Sequence, residues 1–195
     1  MELETWQAPS GEEIPNHPSF PVLLYRGTGL DDPDAARTLF AENGWGGAWV
    51  DGVFGFHHLH STSHEVLAVA AGSAVLELGG PQGRAFDVAA GDVVVLAAGT
   101  GHRRASASGG FTVVGAYPTG QEDYDLLRAA DDGARDRIAA LAAPDADPVG
   151  GDGILRWRAA NGALGRGARE RPALLAVRIT PRYAAQRRQR CRMGS

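Results

Sequence analysis

Five of the six histidines of this chain fall in two places: His57, His58, His60 and His64 share one short window, and His102 stands alone after a glycine turn. Side chains alternate along a strand, so His58 and His60 point to one face while His57 and Leu59 point to the other. Glu65 follows the polar connection Ser61-Thr62-Ser63-His64 and can reach the same face if the chain turns once and returns. His102 opens a later strand-like segment that can lie beside them. Three imidazoles and a carboxylate converging in this way are ligands for a first-row transition metal, and they leave room for water or substrate. His64 stays open as a substitute for Glu65, because a shorter spacing after His60 would bring it to the same place. His57 is expected to face away from the ion, and His17 to lie on the surface of an N-terminal arm.

Other chemistries fit the residues less well. Ser61 and Ser63 lie near His64, but no Gly-x-Ser-x-Gly elbow surrounds them. Gly27-Thr28-Gly29 and Gly99-Thr100-Gly101 lack both the third glycine and the Lys-Ser/Thr of a phosphate loop. The single cysteine, Cys191, excludes an intrachain disulfide and a Cys-based zinc motif. Arg103 and Arg104 alternate across a strand, so one can reach inward to an acidic ligand while the other meets solvent; the alternative has both at the rim.

The elements that must position these groups are short. Between 46 and 118 the chain runs in pieces of Val, Leu, Phe and Trp punctuated by glycine, the texture of an antiparallel sandwich or barrel. Strands are predicted near 47–59, 64–71, 73–79, 84–89, 92–97, 102–107 and 111–117. Before them, residues 1–18 read as an extended, proline-bearing arm, and Phe20-Pro21-Val22-Leu23-Leu24-Tyr25 as an edge strand. Asp32-Pro33 starts a helix that Asn43-Gly44 stops. After Pro118 the period turns helical, and two short helices are predicted before Pro144, packed outside the barrel. The chain thus divides into 1–45, arm and helix; 46–118, barrel; 119–157, helical segment of the same domain; and 158–195, a mobile tail.

Charge supports that last boundary. The 195 residues carry a formal −4, and every basic residue is arginine. Residues 1–157 hold 9 Arg against 22 acids, a net −13, while 158–195 hold 10 Arg against Glu170 alone, a net +9. An acidic body argues against nucleic acid or an anionic membrane as partner. With no apolar run near the ~20 residues of a membrane span and no basic, apolar leader, a cytoplasmic protein is expected.

The spacing Gly52-x5-His58-x-His60-x4-Glu65-x6-Gly72 resembles the first motif of the cupins at every fixed position. Gly91-x5-Ala97-x-Gly99-x2-His102 resembles the second, with Ala97 where the family usually has proline and Ser106 where it usually has asparagine. Ile14-Pro15-Asn16-His17-Pro18, Asn43-Gly44-Trp45-Gly46-Gly47 and Gly115-Ala116-Tyr117-Pro118 narrow the likeness to small bacterial cupins of the YjlB type, over about 1–157. The resemblance implies a mainly β jelly-roll barrel with a divalent ion (Fe, Mn, Zn or Ni) in its mouth. His58, His60, Glu65 and His102 are its implied ligands. It also implies a homodimer that binds a small molecule. The reaction class that suits such a centre is a metal-dependent oxygenation or isomerisation of a small polar metabolite. A non-catalytic module that stores or senses a metal or metabolite is the alternative.

Overall fold

A computed structural model describes residues 1–151 and Trp157. Among the described residues nine strands run in chain order with two helices: β1 (Glu2–Trp6), β2 (Val22–Leu30), α1 (Pro33–Glu42), β3 (Trp45–Asp51), β4 (Glu65–Ala71), β5 (Ser73–Leu78), β6 (Arg84–Ala89), β7 (Gly91–Leu96), β8 (His102–Ala107), β9 (Thr112–Pro118) and α2 (Ala134–Ala140). They form a six-stranded sheet, β1-β2-β7-β4-β9-β3, facing a three-stranded sheet, β6-β5-β8. All pairings are antiparallel. This is the mainly β jelly roll expected, and no helix among the described residues is long and apolar enough to cross a membrane.

Strands β4, β7 and β9 of the large sheet are buried on both faces, and alternation sorts their side chains. Leu67, Val69, Val94, Leu96 and Val113 pack between the sheets against Leu76, Leu78, Phe86 and Val88. Val66, Ala68, Val93, Val95, Val114 and Ala116 face the other way, onto Phe40 of α1, Trp45 and Trp157. The helix that supplies Phe40 begins where its caps require: Asp32 accepts from the N–H of Asp34 at 2.9 Å and Ala35 at 3.1 Å, and Pro33 follows.

Three expectations change. The strand predicted over 47–59 ends at Asp51, because Gly52 and Gly55 let the chain leave the ladder; only His58 and Leu59 pair again, with His102 and Leu127. Of the two helices predicted before Pro144 only α2 forms. The segment with Tyr124, Leu126 and Leu127 is instead an extended strap, since pairing its backbone with Leu59 at 2.9 and 3.0 Å is incompatible with a helical turn. The arm at 1–18 is packed onto its own barrel. There β1 pairs with β2, so β2 lies inside the sheet rather than at the edge expected of it, and His17, expected at the surface, is 4% exposed and stacked on Phe20. The tail predicted at 158–195 lies outside the described residues.

Candidate metal centre

The first residues of β4 and β8 and the last of β9 meet at one end of the barrel. Glu65 opens β4 on the same inward face as Leu67, and its strand neighbour β9 brings Tyr117 beside it. His102 opens β8 across the gap. His58 is bound to it by a two-way backbone bridge, with His58 N–H on His102 O at 3.2 Å and His102 N–H on His58 O at 2.9 Å. The imidazoles of His58, His60 and His102 are all buried, and one ring nitrogen from each lies within 4.8 Å of the others.

Backbone carbonyls orient all three rings. Nδ1 of His58 faces Phe56 O at 3.2 Å, Nδ1 of His60 faces Asp125 O at 2.5 Å, and Nδ1 of His102 faces Thr100 O at 3.0 Å. A carbonyl oxygen only accepts, so each Nδ1 carries the proton and each Nε2 keeps a lone pair toward the centre. Burial holds the rings neutral, lowering His58 to about 3 with help from neighbouring His102, and His102 to about 4; His60 is lowered as well.

Glu65 faces the same point. Its Oε1 accepts from the Tyr117 hydroxyl at 3.1 Å, which in turn accepts from Trp49 Nε1 at 2.9 Å. Its Oε2 is buried with no hydrogen-bond donor, 3.2 Å from His102 Nε2 and 3.7 Å from His60 Nε2. Burial raises this carboxyl's pKa against the pull of His60. Lone pairs on a carboxylate and on neutral imidazoles therefore face one another in a desolvated space, an arrangement that a cation satisfies. The donor set, three imidazole nitrogens and one carboxylate oxygen, fits a divalent first-row ion.

His64 lies elsewhere. One residue before Glu65, it points to the opposite face of the large sheet, where Nδ1 accepts from Ala98 N–H at 2.9 Å and Nε2 donates to Ala142 O at 3.1 Å. Both nitrogens are thus engaged by backbone, beside Trp157 and Phe20. His57 faces outward, with Nε2 3.5 Å from Glu77.

Residues that sequence reasoning passed over hold the site in place. Asp125, on the strap, presents its carbonyl to His60, and its carboxylate accepts from Ser61 N–H at 2.6 Å, from the Ser61 hydroxyl, and from Thr62 N–H and Oγ1 at 3.3 Å each. Asn16, at φ 53°, accepts from Gly101 N–H at 3.1 Å and donates to Gly79 O at 3.0 Å, pinning the turn that delivers His102. In that turn, where Ala97 stands in place of proline, Thr100 N–H closes on Ala97 O at 3.0 Å. Only Gly99 fits within it, at φ 81°, since a Cβ there would meet Ile138 of α2 at 2.6 Å. The Asn16 signal was present in the sequence, as one of the few residue types that tolerate a left-handed backbone. Nothing in the sequence tied Asp125 to His60.

The rings open into a cavity of about 480 Å³, lined also by Trp49, Val53, Phe54, Arg104, Tyr124 and Leu126. Arg104 reaches it, while Arg103 turns outward to Glu77 at 2.7 Å.

No family model matches the chain. It is 38% identical over 153 residues to the uncharacterized protein YjlB of Bacillus subtilis (strain 168), covering 77% of this chain and 92% of that one. Among solved structures, acireductone dioxygenase from Bacillus anthracis with a cadmium ion in its active centre superimposes with a TM-score of 0.34 at 18% identity. The match covers 45% of this chain and 60% of that one.

Proposed function

The chain belongs to the YjlB family, and from that premise and the buried histidines we propose that it is a cupin holding one divalent metal ion on His58, His60, Glu65 and His102, with a small molecule as its ligand and a homodimer as its assembly. The observation that carries this is the unpartnered Glu65 Oε2 facing the Nε2 lone pairs of His60 and His102. Geometry favours Glu65 over His64, whose two nitrogens are already engaged.

An Fe, Mn, Zn or Ni ion bound there supplies Lewis-acid polarisation of a ligand oxygen and, for a redox-active ion, one-electron chemistry. The protein's own part is to hold the rings in one tautomer through three carbonyls and to keep the Glu65 carboxylate aimed through Tyr117. Burial raises the Tyr117 pKa, so its hydroxyl stays protonated and remains a donor. Val53 and Leu67 give the cavity an apolar wall. On this reading the reaction is an oxygenation or isomerisation of a small polar metabolite.

Elemental analysis of the purified chain, and of His102→Ala and Glu65→Gln, tests the centre. We expect one ion per chain in the wild type and loss in both variants with the fold retained. A folded wild-type chain with far less than one metal, unchanged by added Fe, Mn, Zn or Ni, overturns it. Turnover or oxygen uptake that differs between air and argon marks an oxygenase, whereas saturable binding without turnover marks a binding module. Sedimentation of the full chain decides the dimer, since a monomer at every concentration excludes it.

A further inference from the structure

The register of β8 decides which arginine faces inward. His102 pairs with Leu78 and Arg104 with Leu76, both core residues, whereas Arg103 pairs with Glu77 on the outer face. His102 and Arg104 thus share the inward side, about 6.6 Å apart at two residues of strand rise. The next pairing is Ser106 with Val75, which leaves Ala105 unmatched. Beyond Arg104 the residues Ala105–Ala107 are exposed, so Arg104 is the last half-buried residue of the strand. Its backbone N–H also holds Phe54 O at 2.8 Å, which fixes Phe54 beside it at the mouth.

Arg104 lacks the partner that Arg103 beside it has, the Glu77 carboxylate at 2.7 Å. Among the described residues no carboxylate lies within ion-pair distance of Arg104, although it is half-buried and lines the cavity. The other charged groups lining that cavity are Glu65, committed to the centre, and Asp51, exposed at the rim with Oδ1 on its neighbour's N–H at 2.7 Å. The rim is apolar: the exposed large hydrophobic residues among those described are Val50, Phe54, Tyr124 and Leu126, and all four line this cavity. Phe54 is 52% and Leu126 44% exposed, an apolar mouth of the kind that marks a ligand site.

We propose that the cavity binds a small carboxylate bearing an aromatic or branched apolar group, with the carboxylate on the Arg104 guanidinium and the apolar group against Phe54 and Leu126. This deepens the metal-centre reading and rests on it for what happens to the ligand's remaining atoms, since the same cavity holds the three imidazoles. A planar guanidinium suits the two oxygens of a carboxylate, and its partial burial strengthens the contact.

Calorimetric titration of the full chain with 3-phenylpropanoate, its neutral amide and propanoate tests the assignment, with metal content measured on the same samples. Wild type is expected to bind the acid about tenfold or more tighter than the amide. Arg104→Gln should bring the two within about twofold at unchanged metal content, and Arg104→Lys should fall between. Phe54→Ser should weaken 3-phenylpropanoate and leave propanoate unaffected. Equal affinity for acid and amide in the wild type overturns the proposal. So does a preference that Arg104→Gln retains but chelation abolishes, which would place the carboxylate on the ion. If the wild type holds no metal, the centre fails separately and the Arg104 comparison still decides the carboxylate site.

Discussion

Replacing Asp125 by alanine should loosen His60 without touching any proposed ligand. The carboxylate holds the turn after His60 through Ser61 N–H at 2.6 Å and the Ser61 hydroxyl, with two weaker contacts to Thr62 at 3.3 Å. Ser61 is fully buried, so its amide would lose its acceptor where water has poor access. A hydrogen bond to a charged group contributes about 1.5–3 kcal/mol, and an orphaned buried amide costs about 1–3 kcal/mol. The Asp125 side chain is 24% exposed, and entering water offsets part of this, which leaves a net loss of about 2–4 kcal/mol. The strap stays attached through Leu127 and Leu59, so the fold survives while the carbonyl that orients His60 drifts. Loss of such an orienting contact lowers metal affinity about 10- to 100-fold. Urea unfolding measures the first quantity, and competition against a chromophoric chelator the second. Asp125→Asn, which keeps one acceptor oxygen, should lie between. Metal affinity within twofold of wild type, together with a stability loss below about 0.5 kcal/mol, would refute the orienting role.

Three further outcomes follow from the packing. Burial lowers His17 and His64 to about 4, so between pH 6.5 and 4 the unfolded chain binds more protons than the folded one. The stability from these neutral rings is complete above pH 6.5 and is lost as pH falls through that window. The full crossing is worth about 3 kcal/mol per ring, and urea midpoints of chelator-treated protein that stay flat from pH 7.5 to 5 would contradict this. Gly115→Ala places a Cβ 2.2 Å from Trp49 Cε2, displacing the indole that donates to Tyr117. It should cost about 1–3 kcal/mol, shift tryptophan emission and weaken metal binding. Trp157 stacks on Phe20 at 5.0 Å and donates to Pro21 O at 2.8 Å. Trp157→Ala should therefore cost about 3–5 kcal/mol, whereas a chain ending after Trp157 should melt near wild type if 158–195 is the separate tail proposed.

The spacing of His58, His60, Glu65 and His102 was enough to draw those four residues together, and the glycine punctuation placed most strands within a residue or two of β4 to β9. Local chemistry is sufficient there, because strand alternation and turn preference act over neighbouring residues. The same alternation separates His64 from Glu65, yet Val66–Ala70 is apolar on both faces and hides which parity is inward. The helix expected around Leu127, where none forms, and the overlong strand at 47–59 share one cause. Both segments pair across the fold, with Leu59 and His102, and long-range backbone hydrogen bonds overrode local period.

Residue types and spacing by themselves thus determined the mainly β class, the candidate ligands and the acidic body with its basic end. Tertiary structure alone decided which lone pairs face the centre, through carbonyls of Phe56, Thr100 and the distant Asp125. It also decided which of two adjacent arginines enters the cavity, through the register that pairs Arg104 with core Leu76 and Arg103 with Glu77. A backbone carbonyl carries no residue signature, and a register shift belongs to two strands at once, so neither can be read along a single chain.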